Sequence, residues 1–312
     1  MTIDLKAVLK NKAINGWRLF SLVVIPMSIV MVIAMMEADM STVAGVRSMI
    51  QLSVRWAVPF IFLVVAASSV QTLFPGPFPM WWLRNREYIG LCFAVAMAWQ
   101  GTFIFIMSNF FREYYFEDVY LLRDELEGSI GYIFLAAMVV TTSQFGRKHL
   151  NSKQWKLLHK SAIYFLWAYP FSVYWWNLSY YGHPEPIDYV YYWGGFLAFA
   201  LRIAAWGKKR QQATTRNVPE SSTPPSFKVF GGAIVAFGLV ASATGLYWQE
   251  PVTTFLTAPQ WSADFVLWLP FWPFEPYLPL FVIGLGAMLL TKARAHGERQ
   301  EVTDKGFGLT AP

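Results

Sequence analysis

Four histidines are the side chains of this chain best suited to bind a metal ion or haem iron, because imidazole nitrogen is a common ligand for both. Three of them, His149, His183 and His296, fall in polar connecting segments. His159 stands at the start of an apolar, aromatic stretch, "QWKLLHKSAIYFLWAYPFSVYWW" (154–176). Any ligand-binding site inside that stretch therefore depends on His159 and on a partner from a neighbouring element.

Cysteine and nucleotide chemistry are not indicated. The single cysteine, Cys92, excludes an intrachain disulfide and a cysteine-held zinc or iron–sulfur site within this chain. We find no glycine-rich dinucleotide or P-loop fingerprint, and the segment after Lys292 is too short for a flavin or nicotinamide domain. The sequence assigns no catalytic residue.

The composition predicts an all-α integral membrane protein. The chain has 312 residues, of which 55% are hydrophobic, 18% aromatic and only 14% charged, and it contains 15 Trp. Apolar runs of about 20 residues suit transmembrane helices, and tryptophan is enriched at membrane interfaces. We predict eight transmembrane helices, at 17–36, 51–73, 87–109, 128–146, 159–180, 189–206, 228–248 and 275–292.

The charge pattern predicts an orientation. The net charge of +6 does not indicate a nucleic-acid partner, because the basic residues alternate with the apolar segments. Acidic residues crowd one loop on the opposite side, at 113–127. Both termini are therefore predicted to be cytoplasmic, in a bacterial inner membrane, with the first helix retained because no signal-peptide cleavage site follows it. The basic segments are the amino terminus, 84–86, 147–160, 208–228 and the residues from 292 onward.

These patterns divide the chain into five parts. Residues 207–226 read as a flexible cytoplasmic linker rich in Ser, Thr and Pro. The external aromatic loop at 249–276 is predicted to lie in the membrane interface, as a partner-docking surface or as a lipid-facing belt. Glycines in the last two spans predict close helix packing. The five parts are the amino terminus with the first helix (1–50), a core (51–206), the linker (207–226), two carboxy-terminal helices with the external loop (227–293), and a cytoplasmic tail (294–312).

Three stretches together resemble the ferric-reductase-like transmembrane superfamily, which includes the haem membrane subunit of the periplasmic methionine sulfoxide reductase system. They are "RNREYIGLCFAVAMAWQ" (84–100), "GYIFLAAMVVTTSQFGRKHL" (131–150) and "WKLLHKSAIY" (155–164), and the resemblance covers roughly 50–206. It implies a six-helix core whose third and fifth spans hold two b-type haems. Electrons would pass through these haems from the cytoplasm to the exterior, from a separate electron donor.

Most of the histidines that the resemblance implies are missing. His159 matches the first ligand of the fifth span, but the second position, thirteen residues on, is Ser172. On the third span the matching position is Gln100, and an external one falls near Glu113. A single haem b on His159 would need Gln100 or, one turn away, Met97 as the second ligand, although Met97 also suits an ordinary core position.

Two functions follow as hypotheses. The first is a haem-depleted structural or accessory subunit of a membrane redox complex, contacting membrane or periplasmic subunits through the external loop. The alternative is an electron-transfer oxidoreductase subunit that keeps one haem on His159. In the first case bulky side chains would fill the core. The candidates are Trp99, Phe103, Phe105, Tyr164, Phe165, Trp167, Tyr169, Phe171, Tyr174 and Trp175.

The presence of three ionisable residues in or near the predicted helices can also be explained by structural roles alone. His159 could cap a helix start or contact a lipid head group at the interface. Arg55 is expected to pair with Glu37 or Asp39, and Arg202 to extend to the cytoplasmic surface. Transport has little support, because the predicted spans lack a carboxylate cluster at mid-depth.

Overall fold

A computed structural model describes residues 5–217, 223–262 and 269–292, and the regular elements in these ranges are all helical. The all-α prediction is thereby confirmed. Short 3₁₀ turns cover Lys12–Ile14 and Glu275–Tyr277, and a π turn covers Tyr115–Val119. The α-helices are α1 (Leu5–Lys10), α2 (Trp17–Glu37), α3 (Val43–Leu73), α4 (Pro77–Phe110), α5 (Arg112–Tyr114), α6 (Leu122–Thr142), α7 (Gln144–Arg147), α8 (Ser152–Ser179), α9 (Pro186–Asn217), α10 (Pro225–Ala243), α11 (Gly245–Leu256), α12 (Pro259–Ser262) and α13 (Leu278–Leu290).

Five of these helices, α2, α3, α4, α6 and α10, are long and apolar enough to cross a membrane. The eight predicted segments all fall on helices, but three of them do not reach that criterion. Helix α13 has 13 residues, about 20 Å, which is shorter than a hydrocarbon core of about 30 Å. Helices α8 and α9 are long enough, but they carry many Trp, Tyr and basic residues, which a hydropathy scale scores as polar. Crossing by these three helices stays a prediction.

Two predicted boundaries are corrected. Helix α9 continues to Asn217, so the first half of the expected linker is helical, while 218–222 and the tail from 293 lie outside the described residues. Helix α10 ends at Ala243, where the Thr244 N–H still bonds the Val240 carbonyl at 3.0 Å, and α11 follows at once. The segment predicted to be external, at 249–276, therefore begins inside α11.

Helix α3 lies at the centre of the bundle, packed against α4 and α9 and also touching α2 and α8. Its buried side chains include Phe62 and Val65, and its neighbours supply most of the remaining core. Helix α2 lies at the edge and buries only Met27 and Met31. Its other apolar side chains, among them Ile25, are exposed, as suits a helix that faces lipid.

Glycines bring α10 and α13 into backbone contact. A Cβ built on Gly231 would lie 2.9 Å from the Gly286 carbonyl oxygen, and one on Gly286 would lie 2.8 Å from the Gly231 carbonyl oxygen. Gly238 approaches the Pro279 carbonyl oxygen in the same way, at 2.9 Å. The predicted close packing of the last two helices is thus confirmed, and α13 in turn packs on α9.

A buried asparagine fastens the amino-terminal segment to α4. Asn85 is 1% exposed, its Oδ1 accepts a hydrogen bond from the Gly16 N–H at 3.0 Å, and its Nδ2 donates to Asn15 Oδ1 at 3.0 Å. Gly16 has a φ of 66°, in the left-handed region that favours glycine. The direction in which α2 leaves the amino-terminal turn therefore depends on Asn85.

Asn85→Ala is expected to lower the free energy of unfolding by about 1–3 kcal/mol, because it leaves the Gly16 N–H without its acceptor in a buried place. The thermal unfolding midpoint of the purified protein, followed by tryptophan fluorescence, measures this. Asn109→Ala on the same helix is the matched control, since Asn109 is exposed and bonds only to its own helix, through Phe105 and Ser108. Equal midpoints for the two variants would contradict the assignment.

Candidate functional site at His159 and the aromatic core

His159 lies about two turns into α8, whose start is fixed by a capping box between Asn151 and Gln154. Its Nε2 is 2.9 Å from Thr141 Oγ1 on α6, and its ring lies 4.2 Å from that of Trp155. The Thr141 hydroxyl donates its one hydrogen to the Ala137 carbonyl at 2.7 Å. With that hydrogen directed to Ala137, the Thr141 hydroxyl oxygen accepts from His159 Nε2–H.

The two other proposed haem ligands contact a different part of α6. The Tyr132 hydroxyl lies 3.1 Å from the Met97 carbonyl oxygen and 3.3 Å from Gln100 Oε1. Tyr132 and Thr141 are nine residues apart, which is about 13 Å along a helix. His159 and Gln100 thus bond to different turns of α6, and no described contact joins His159 to Gln100 or to the side chain of Met97.

Four stacked rings, which we call the aromatic column, fill the space between α8 and α9. In order they are Phe199, Trp167, Phe171 and Tyr192, with centroid distances of 4.4, 4.8 and 5.5 Å and interplanar angles of 24°, 16° and 18°. Trp167 Nε1 donates to the Gly195 carbonyl at 3.0 Å, and the Tyr192 hydroxyl donates to the Ser242 carbonyl at 2.8 Å. The polar edges of these buried rings are therefore satisfied.

The predicted filling of the core by aromatic side chains holds for most of the named residues and fails for two. Phe105 is 62% exposed and Tyr169 is 40% exposed. Trp99, Tyr164 and Phe165 are partly buried. The fully buried members are Phe103, Trp167, Phe171, Tyr174 and Trp175.

Ser172, at the position where the resemblance implies a second histidine, is buried. It is 9% exposed, and its hydroxyl donates to the Tyr169 carbonyl of its own helix at 2.8 Å. The preceding Phe171 packs 5.7 Å from the ring of Tyr277, whose hydroxyl donates to the Ala168 carbonyl at 2.9 Å. Tyr277, the residue directly before α13, therefore helps to cover this part of α8.

The predicted ion-pair partner of Arg55, Glu37 or Asp39, was wrong. Arg55 Nη2 lies 2.6 Å from Glu185 Oε2, and both side chains are about half exposed. Asp39 instead accepts hydrogen bonds from the hydroxyl and the N–H of Ser41, which lower the pKa of its carboxyl. Asp39 thus stabilises the turn that contains it and Ser41, while Arg55 connects α3 to the loop before α9.

Arg202 is also held inside the bundle instead of extending freely to the surface. Its Nε donates to the Tyr164 hydroxyl at 2.9 Å, and its Nη1 donates to the Val65 carbonyl at 3.0 Å. The guanidinium also lies 4.8 Å from the centroid of the Tyr164 ring. One side chain thereby joins α9 to α8 and α3.

Sequence reasoning missed a clasp, formed by Arg123 and Glu127 of α6 with the segment 271–272. Arg123 Nη1 donates to the Trp272 carbonyl at 2.9 Å, and Glu127 Oε1 accepts from the Phe271 N–H at 2.9 Å. Phe271 has a φ of 62°, which is uncommon for a residue other than glycine. In the sequence, the acidic residues at 113–127 indicate only a charge asymmetry. No local pattern there indicates a contact with a segment about 145 residues away.

A second missed feature is the buried carboxyl group of Glu275. The residue is 0% exposed, and neither carboxyl oxygen has a hydrogen-bond donor among the described residues, although the Thr253 hydroxyl faces it. A carboxyl group buried in this way needs polar partners to offset its loss of hydration. Its sequence context, an acidic residue before a proline, gives no signal of such burial.

The described residues contain no group of three or more His, Cys, Asp or Glu that could hold a metal ion. Comparisons with protein-family models, with curated proteins and with solved structures found no match to this chain. The class defined by its fold is an all-α integral membrane protein with five apolar helices of membrane-crossing length.

Proposed function

We propose that this chain is a polytopic membrane protein of the ferric-reductase-like superfamily that has lost its haems and acts as a structural or accessory subunit of a membrane redox complex. The aromatic column is the observation that carries this proposal. Both faces of the Trp167 ring are covered, by Phe199 at 4.4 Å and by Phe171 at 4.8 Å. These distances are those of stacked aromatic side chains in a packed interior.

The contacts of His159 agree with a structural role. Its Nε2–H bonds to Thr141 and its ring lies against Trp155, so it joins α8 to α6. Ser172, at the position where the resemblance implies a second histidine, is 9% exposed, and its hydroxyl donates to the Tyr169 carbonyl of its own helix. In the proposed topology both termini are cytoplasmic and eight helices cross the inner membrane, with His159 near the cytoplasmic interface.

Helix α11 supplies the proposed contact surface for another subunit. Its outward side chains Leu246, Tyr247 and Phe255 are 64%, 83% and 68% exposed, whereas Gln249 is buried. Gly245, at the first turn, allows α11 to approach the end of α8, because a Cβ there would lie 2.7 Å from Ser179 Oγ. An apolar surface held rigidly at the external end of the bundle suits contact with another membrane subunit.

The test is the absorption spectrum and the native size of the protein, purified in a mild detergent from its own membranes with ample haem supply. We expect no Soret band, an unchanged spectrum for His159→Ala, and a complex larger than one 35.7 kDa chain. Tyr247→Ala should reduce recovery of the complex. Tyr181→Ala, which removes a 66% exposed ring at the end of α8, is the matched control.

Two results would contradict the proposal. A Soret band that disappears in His159→Ala would establish the alternative, an electron-transfer subunit with one haem on His159. A single chain recovered alone from native membranes, with no dependence on Tyr247, would remove the accessory role.

A further inference from the structure

A surface groove with a volume of about 540 Å³ runs along the exposed side of the first half of α2. This volume lies within the range of small-molecule sites, about 300–1,000 Å³. The groove, which we call the α2 groove, is lined by α2 and by the 3₁₀ turn before it. Its lining residues include Ala13, Trp17, Arg18, Leu22, Ile25 and Pro26.

The α2 groove has a charged end and an apolar remainder. Arg18, Leu22 and Ile25 follow one another at intervals of four and three residues, which places them on one face of the helix. Arg18 and Pro26 are eight residues apart, or about 12 Å along the helix axis. Leu22 is 58% exposed and Ile25 is 57% exposed, so the rest of the described chain leaves this apolar strip open.

Arg18 has no counter-ion among the described residues. No carboxylate oxygen of these residues lies within 4.0 Å of it, and they form no hydrogen bond with its side chain. The first turn of α2 contains no acidic residue, and Glu37, at the far end of the helix, is about 28 Å away along the axis. Lys12, which precedes Ala13 in the turn, is exposed and adds a second positive charge.

Contacts with α4 hold the charged end of the α2 groove in place. Trp81 Nε1 donates to the Ile14 carbonyl at 3.0 Å, in addition to the bonds of Asn85 described above. The ring of Trp17 lies 5.5 Å from that of Tyr88. The turn that walls the groove is therefore preorganised, which lowers the entropy cost of holding a ligand.

We propose that the α2 groove binds one anionic phospholipid, with the phosphate group at Arg18 and an acyl chain along Leu22 and Ile25. Helix α2 is long and apolar enough to cross a membrane and buries only two of its 21 residues, so its groove side is open to lipid. Trp17, its first residue, is 64% exposed and suits the interfacial level at which head groups lie. A guanidinium matches two phosphate oxygens. The site does not depend on the accessory function proposed above.

The test uses the full chain, purified in a neutral detergent and titrated with phosphatidylglycerol or phosphatidylcholine. We expect phosphatidylglycerol to raise the thermal unfolding midpoint saturably, and phosphatidylcholine to have a much weaker effect. Arg18→Gln should weaken the apparent affinity for phosphatidylglycerol roughly fivefold, because a basic side chain near the phosphate is lost. Ile25→Trp should weaken it as well, because the larger side chain fills the apolar part of the groove. Both positions are exposed, so neither substitution disturbs the core.

Each variant has a matched control. Arg47→Gln makes the same charge change at an exposed position near the start of α3, and Ile33→Trp enlarges a 51% exposed side chain of α2 outside the groove. Both controls should bind phosphatidylglycerol as the unsubstituted protein does. Equal affinities of Arg18→Gln and Arg47→Gln, or equal responses to the two lipids, would overturn the proposal.

A membrane helix of another chain is the competing occupant of the α2 groove. In that case Ile25→Trp would reduce recovery of the native complex, and phosphatidylglycerol would leave the unfolding midpoint of the purified chain unchanged. These two results together would overturn the assignment to a lipid.

Discussion

Gly286→Ala is expected to lower the free energy of unfolding by about 1–3 kcal/mol, through overpacking at the contact between α10 and α13. The added methyl group would lie 2.8 Å from the Gly231 carbonyl oxygen and 2.9 Å from the Val235 nitrogen. Both atoms belong to the backbone, so only a shift of one helix against the other relieves the contact. The unfolding midpoint in detergent, followed by tryptophan fluorescence, measures the loss.

Gly284→Ala is the matched control, because it makes the same change two residues earlier on the same helix. A Cβ at Gly284 meets no atom within 4 Å, so packing does not oppose the substitution. Alanine is a better helix former than glycine by about 1 kcal/mol, so this variant should be unchanged or slightly more stable. Equal losses for the two variants would show that the glycines matter for a reason other than helix contact.

Gly195→Ala is expected to be at least as damaging, because the new methyl group would enter the packing around the aromatic column. It would lie 2.7 Å from Phe62 Cζ and 3.1 Å from Phe171 Cδ2. Phe171 is 0% exposed and Phe62 is 7% exposed, so neither ring has free space to occupy. Overpacking of this kind costs about 1–3 kcal/mol, occasionally more.

Tryptophan emission gives this second prediction a specific readout, since Trp167 Nε1 donates to the carbonyl of Gly195 itself. Gly194→Ala is the control, because its Cβ would make an ordinary 3.4 Å contact with Phe62 Cδ2. Phe62→Leu should partly restore Gly195→Ala, and a double-mutant cycle measures that coupling. Additive effects of the two substitutions would contradict a direct clash between position 195 and the Phe62 ring.

The sequence predicted the helical class and the position of every long helix, because apolar runs of about 20 residues have few other stable forms in a membrane. It placed helix ends less well. Helix α9 continues through basic and polar residues to Asn217, where composition indicated a linker. Helix propensity and charge patterns describe only a few neighbouring residues. They therefore do not show where a helix ends once its apolar stretch is over.

The candidate site was predictable as a set of residues but not as a set of contacts. The resemblance implied that His159 and Gln100 lie on facing helices, but their hydrogen bonds go to Thr141 and Tyr132 of α6. Arg55 pairs with Glu185, which is 130 residues away in the sequence. It does not pair with Glu37 or Asp39, which are closer to it in the sequence. Such choices depend on helix rotation and relative depth, which a single sequence does not encode in any local pattern.

The burial of Ser172 bears on the ancestry proposed above. Under that proposal a histidine once stood at this position, but in Ser172→His the imidazole would have to enter an interior where Ser172 is only 9% exposed and its neighbour Phe171 is 0% exposed. Reversal therefore requires several coordinated substitutions in the aromatic core, each of which alone leaves a cavity or a clash. Under the proposed ancestry, the packing that stabilised the protein after haem loss also made that loss hard to undo.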